Sequence, residues 1–230
     1  MKSRSLIALL ILGSSLLMSS QALAGGWEDL GVIDGVRTKR QSVENSPLFA
    51  FRGERVADIP LDVLIATFAD PAQRKHWVDR YEEHVTLEKS DLSEVYWIHF
   101  GLPPLISDRD YVLKTVAKID REKGQIRVEI NSTTHPKAPS GCCVRAEVKR
   151  TLYLFTALSR TKTRLMVEVH TDPKGMLPRW LVNLIQKSWP SKTLNGLVKH
   201  ALKMKVSHEE IRGWLEEKYP EKSEASSTDQ

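Results

Sequence analysis

Between His84 and Thr171 the chain sets out six strand-like runs with no helix among them, and that feature most narrows what it can fold into. The runs are His84–Ser90, Glu94–Gly101, Tyr111–Ile119, Gln125–Ser132, Val144–Leu158 and Thr163–Thr171. Short polar links such as Ser90-Asp91 and Glu122-Lys123-Gly124 join neighbours as hairpins, so the sheet is expected to be antiparallel, against a parallel α/β arrangement. In the third run Tyr111, Leu113, Thr115, Ala117 and Ile119 alternate with Asp110, Val112, Lys114, Val116 and Lys118. One face is dry and the other wet, and a dry face needs a helix or a cavity behind it.

The cover follows directly. Asp172-Pro173-Lys174-Gly175 reads as a turn, and Pro178 suits a first helical turn that can do without an N–H. Leu177, Leu181, Leu184, Ile185, Leu194, Leu197, Val198, Ala201 and Leu202 then recur at spacings of three and four, the mark of one apolar helical face. Pro190 removes an N–H and crowds the preceding turn, so a kink or break is expected there, read either as a hinge or as a static bend. Lys192, Lys199, Lys203, Lys205 and Arg212 make a basic face open to two readings, plain solvation or transient contact with an anionic membrane surface.

Upstream, Trp27–Gly35 is expected as a short helix, Val36–Gln41 as a first strand and Leu48–Ile59 as a second. Leu61–Phe68 carries a helical face with Asp58 as its N-cap, and Pro71 opens another short helix that sets Trp77 and Tyr81 on one side. The link Gly101–Asp110 is long for a hairpin. Its two prolines, with Leu105 and Ile106 expected to be buried, suggest a stiff Ω-type loop over the mouth of the sheet. After Leu202, Ile211, Trp214 and Leu215 form a weaker amphipathic helix, and Ser223–Gln230 is polar enough to read as a disordered tail.

Met1–Ala24 has Lys2 and Arg4, an apolar run and Ala22-Leu23-Ala24, which describes a secretory signal cleaved after Ala24 and so a periplasmic or secreted protein. The remaining 206 of 230 residues suffice for one core. The formal net charge of +5 falls to +3 without Lys2 and Arg4, weak attraction for any polyanion. No zinc spacing, Arg-rich helix or RNA-reader motif is present, so nucleic acid is disfavoured. Cys142 and Cys143 are adjacent, and neighbours bridge only with severe backbone distortion, which argues against a disulfide and for two inert side chains over a redox switch or an intermolecular bridge. His135, His170 and His200 lack partners at ligand spacing, so neither metal nor cofactor is expected.

Trp77, Leu102-Pro103-Pro104-Leu105 running into Ser107–Val112, Val144-Arg145 opening a strand, and Asp172–Gly175 with Leu177–Asn183 together resemble the START family of lipid-binding domains, across roughly Ile33 to Leu202. The resemblance implies an α+β helix-grip fold, a curved antiparallel sheet wrapped around a long C-terminal helix, with a cavity for one lipid or other hydrophobic small molecule. On it the chain divides into a signal peptide (1–24), a START-like domain (25–206) and a terminal helix with tail (207–230). A monomer is expected, and no catalysis. Trp97, Tyr111, Leu113 and Thr115 from the sheet, and Trp180, Leu184, Ile185 and Leu197 from the helix, are the expected wall. Arg109 shares a face with Tyr111; it either offers its guanidinium to the ligand or pins the proline loop. The sterol-carrying branch has a facing carboxylate and arginine, and the matching positions, Tyr96 or Trp97 and Thr115, carry no charge here. Two rivals stand beside the carrier: a cyclase- or hydrolase-like enzyme, for which His99 or Arg109 would be the working group, and an interaction module whose core is simply filled.

Overall fold

The computed structural model describes residues 26–220. The segments read as signal peptide and as polar tail lie outside the described residues.

Ten strands form one sheet: β1 (Glu28–Ile33), β2 (Val36–Ser42), β3 (Phe49–Ala57), β4 (Tyr81–Lys89), β5 (Ser93–Phe100), β6 (Arg109–Asp120), β7 (Gln125–Ser132), β8 (Val144–Arg145), β9 (Glu147–Ser159) and β10 (Lys162–Asp172). Their order is β1-β2-β3-β10-β9-β7-β6-β5-β4, antiparallel throughout, with β8 added in parallel beside the start of β6. Helices α1 (Leu61–Ala69) and α2 (Arg74–Trp77) carry the chain from β3 to the far edge, and α3 (Arg179–Met204) lies across the concave face. The curved antiparallel sheet and its long closing helix are those expected from the alternation and from the 3.6-residue pattern.

Several local expectations fail for physical reasons. Trp27–Gly35 is not helical: Asp34 and Gly35 both take positive φ, a two-residue turn that folds β1 back on β2. Asp58 does not cap α1, whose N-cap position is taken by Pro60. The helix after Pro71 stops at Trp77, and Tyr81 already belongs to β4. Leu105, at the tip of the proline loop, takes positive φ and is fully exposed. Cys142 and Cys143 are disulfide-bonded with their Cα atoms 3.8 Å apart, the spacing across an ordinary trans peptide. The bridge lies in the loop just after Gly141, which takes φ +91°, and immediately before β8.

Helix α3 is continuous through Pro190, and its two halves meet different surroundings. Leu194, Leu197, Val198 and Ala201 are buried with Leu61 and Leu64 of α1 and with Phe155, Leu165 and Val167 of the sheet. Each fully buried leucine contributes about 2 kcal/mol, so this half is anchored. Two glycines permit that closeness. A Cβ on Gly196 would stand 2.5 Å from the Trp77 carbonyl oxygen, and one on Gly53 would stand 2.6 Å from the Pro190 Cβ. Helix α4 (Glu209–Lys218) docks on the same core through Ile211, Trp214 and Leu215, and the Tyr219 hydroxyl donates to the Ala157 carbonyl at 2.9 Å.

Gly196→Ala should therefore cost about 1–3 kcal/mol, because the obstacle is backbone and cannot rotate away. Urea denaturation would measure it, against an exposed control such as Gly213→Ala, where no atom lies within 4 Å of the new methyl.

Candidate functional site

Where the N-terminal half of α3 faces the sheet, the contact opens into a cavity of about 200 Å³. Its walls come from β5 (Tyr96, Ile98, Phe100), β6 (Arg109, Tyr111, Leu113, Thr115), β9 and β10 (Thr151, Tyr153, Val169) and α3 (Val182, Ile185, Gln186, Trp189), with Arg74 and Trp77 from α2. Register explains the sheet wall. Ile98 stands opposite Tyr111 and Tyr96 opposite Leu113, so these four share the concave face.

Arg109, Tyr111, Leu113, Thr115 and Ile185 of the expected wall meet in this lining. Four others do not. Trp97 pairs with Val112 on the convex face, where its Nε1 donates to Asp110 Oδ2 at 2.7 Å. Leu197 belongs to the solid core. Trp180 and Leu184 are exposed, because in this half of the helix the inward stripe runs through Val182, Gln186 and Pro190, and both lie round the helix from it. That inward stripe includes buried Gln186, Ser191 and Thr193, which a search for apolar periodicity passes over.

Arg109 and Asp110 point to opposite faces and each pins a different loop. The guanidinium, 4% exposed, donates from Nε to the Pro173 carbonyl at 2.7 Å, from Nη2 to that of Lys174 at 3.2 Å, and from Nη1 to that of Ser107. It thus ties the proline loop to the Asp172–Gly175 turn, in which Lys174 and Gly175 both take positive φ. The pinning role is fulfilled, with backbone carbonyls as its partners. On the other face the Asp110 carboxylate accepts from Trp97 and twice from Arg145, at 3.0 and 2.8 Å. Burial pushes its pKa up, but those bonds more than offset it and the group stays below the usual carboxylate range. His99 is also on the convex side, its Nε2 2.9 Å from Asp108 Oδ2.

The charge that sequence reasoning missed is Arg74. From α2 it meets Glu94 of β5: its Nη1 donates to Oε1 at 3.3 Å and its Nη2 to Oε2, while the guanidinium lies over the Tyr96 ring, 4.3 Å from its centroid. His84 Nε2 is 2.5 Å from Arg74 Nη1, and Thr86 donates to Glu94 Oε1 at 2.9 Å. Burial raises the Glu94 pKa, and the bonds from His84, Arg74 and Thr86 outweigh it, holding it at about 2. One signal was available: Glu94 shares its strand face with Tyr96 and Ile98, a charge on a dry face that demands a partner. Thr115 stands opposite Glu94 in the ladder. A buried guanidinium–carboxylate pair thus borders the cavity although Tyr96, Trp97 and Thr115 are uncharged. Desolvation pushes the hydroxyls of Tyr96, Tyr111 and Tyr153 well above their ordinary pKa, so they remain neutral.

A curved antiparallel sheet gripping one long helix over a hollow is the helix-grip architecture. The START domain family model matches residues 16–205, and the chain belongs to that family. It is 27% identical over 185 residues to the phosphatidylcholine transfer protein of Bos taurus, covering 77% of this chain and 85% of the relative. An uncharacterised protein of Pseudomonas aeruginosa is 26% identical over 199 residues, covering 78% and 89%. The crystal structure of human STARD10 superposes with a TM-score of 0.71 at 24% identity, over 77% of this chain and 74% of that one. START domains are lipid-transfer and hydrophobic-ligand-binding modules.

The folded-state pKa of Glu94 lies below its unfolded value, so the stability it contributes is present above about pH 4.5 and lost as pH falls toward about 2. Glu94→Gln should remove that share of the acid-limb slope. At pH 7 it should also cost about 3 kcal/mol, because Arg74 stays buried with its partner gone. Urea denaturation at a series of pH values checks both outcomes.

Proposed function

We propose that this chain takes one lipid into the cavity beneath the N-terminal half of α3 and carries or shields it, without turnover, in the periplasm or outside the cell. The carrying observation is the cavity itself, a hollow of about 200 Å³ walled largely by Tyr, Ile, Leu, Val and Trp side chains exactly where the helix leaves the solid core. Burial of acyl methylenes at roughly 0.8 kcal/mol each supplies the affinity with no covalent chemistry. A filled-core interaction module has no use for such a hollow. A cavity enzyme has lost its two candidates, since His99 faces away and Arg109 is spent on three carbonyls. The name of the bovine relative, a phosphatidylcholine transfer protein, supports a phospholipid-sized cargo and transfer between membranes. The charged, apolar and small-residue regions of Met1–Ala24 support export.

Uptake requires contact with a bilayer, and we place that contact at the cavity rim. Leu105 and Met176 are fully exposed, and Trp180 is 68% exposed. They sit on the proline loop, on the link that follows the Asp172–Gly175 turn, and on the first turn of α3, three segments around the Arg109 clamp. Arg179 and Lys187 are exposed beside them, which suits an interfacial site on an anionic membrane.

Purified protein should carry lipid that extraction and mass spectrometry recover, and should move labelled lipid between vesicles. Met176→Glu with Trp180→Glu should lower vesicle association and transfer by about tenfold or more while unfolding shifts by no more than about 0.5 kcal/mol. Protein free of lipid that transfers none, or a double variant that transfers normally, would overturn the respective half of the reading.

A further inference from the structure

Deep in the cavity wall every cation is fully engaged, and at the mouth one is not. Arg74 is matched by Glu94, and Arg109 donates to carbonyls from all three of its nitrogens. Asp79 and Arg80, on the link between α2 and β4, also line the hollow, beside Val78, Phe100 and Leu102. There two cations share a single oxygen. Asp79 Oδ2 lies 3.3 Å from Lys192 Nζ of α3 and 3.8 Å from Arg80 Nε. Among the described residues no other carboxylate stands within ion-pair distance of either cation, so two positive charges against one negative leave an excess of one. Arg80 Nη1 and Nη2 donate to nothing among the described residues. The three side chains are 30–45% exposed, open to a ligand from outside yet too enclosed for water to screen them fully. Arg80 is also fixed at its base: it takes φ +60°, and its carbonyl accepts from the Gly101 N–H at 3.0 Å where the proline loop begins. A residue other than glycine keeps that conformation only where its surroundings impose it.

We propose that Arg80 and Lys192 receive the phosphate of the cargo's head group, so that the preferred cargo is a phospholipid whose head is net anionic. The proposal rests on the carrier reading above and narrows its substrate class. The free edge of the Arg80 guanidinium is a fork of donors that fits two phosphate oxygens, while the acyl chains occupy the apolar hollow behind it. A zwitterionic head brings the same phosphate with an ammonium group that needs a carboxylate. Asp79 is already held by Lys192, and Glu94 by Arg74 and Thr86, so that ammonium would stand against the excess positive charge unmatched.

The test offers purified protein vesicles that contain phosphatidylglycerol, phosphatidylcholine and diacylglycerol in equal amounts, all with the same acyl chains, and reads the bound lipid by mass spectrometry. Because the three share one membrane, attraction of the protein to its surface is common to them and cancels from the ratio. Phosphatidylglycerol should be recovered about tenfold over either of the others, the worth of one charge-assisted bond. The ratio should shrink as salt is raised, since the mouth is open to ions. Arg80→Gln should bring it toward one with total loading kept, whereas Asp79→Asn, which keeps both cations and removes the carboxylate, should raise it. Residues that only support the fold would not move the ratio in opposite directions. Should Arg80→Gln fail to fold, Lys192→Gln, on the exposed side of α3, carries the same expectation. Glycerol phosphate titrated without lipid should bind far more weakly, because acyl burial supplies most of the affinity; binding as tight as the lipid's overturns the lipid assignment in favour of a free phosphate. Equal recovery of the three lipids, or an Arg80→Gln ratio that stays at the wild-type value, overturns the proposal and leaves the carrier reading standing. Failure to load any of the three removes the carrier reading, and this inference with it.

Discussion

Everything in this molecule depends on one helix meeting one curved sheet at two different separations. Toward the C-terminal end of α3, the absence of a side chain at Gly53 lets Pro190 close on β3, and its absence at Gly196 lets the Trp77 backbone close on the helix. Leu194, Leu197, Val198 and Ala201 then pack as an ordinary core. Toward the N-terminal end the sheet curves away, and Val182, Ile185 and Trp189 line space instead. A void is tolerable in one half because the other half supplies enough buried apolar surface to hold the helix in place.

The frame of the cavity is polar, and it is arranged so that no charge facing the interior lacks a partner. Adjacent strand residues diverge by construction, and β6 uses that at Arg109 and Asp110. One side chain ties the proline loop to the turn before α3, and the other holds Trp97 and Arg145 on the outer face. The parallel strand β8, two residues long, is fixed by the same junction, with the Val144 N–H donating to the Asp108 carbonyl at 3.0 Å. Arg74 and Glu94 meet the same requirement, since each would be prohibitively unfavourable in that position alone.

Much of this was legible in the sequence and some was not, for identifiable reasons. Alternation in Tyr111–Ile119 and the polar links revealed the antiparallel sheet, because period two and short hairpins leave little alternative. Alternation alone does not say which face is inside when both carry aromatics, so Trp97 was placed on the wrong side while its neighbours Tyr96 and Ile98 were the wall. The stripe of leucines in α3 misled in a similar way. Exposed Leu184 and Leu202 belong to it, whereas the buried stripe includes Gln186, Ser191 and Thr193, of which Gln186 donates to Thr171 and Ser191 to the Ser188 carbonyl at 3.0 Å. The Arg74–Glu94 pair joins a short helix to a strand across an intervening strand, and no local pattern encodes such a meeting.

The apolar walls and the few polar atoms do different work, and their magnitudes keep the roles apart. A dozen acyl methylenes at roughly 0.8 kcal/mol each supply on the order of 10 kcal/mol, whatever head group they are attached to. One hydrogen bond is worth roughly 1 kcal/mol net, too little to retain a lipid against a membrane but enough for about a fivefold choice between two that the walls hold equally well. Retention is therefore a property of Tyr96, Ile98, Leu113, Ile185 and their neighbours taken together. Selection is a property of single atoms held in fixed directions, and a side chain can hold a direction only where something on its far side grips it.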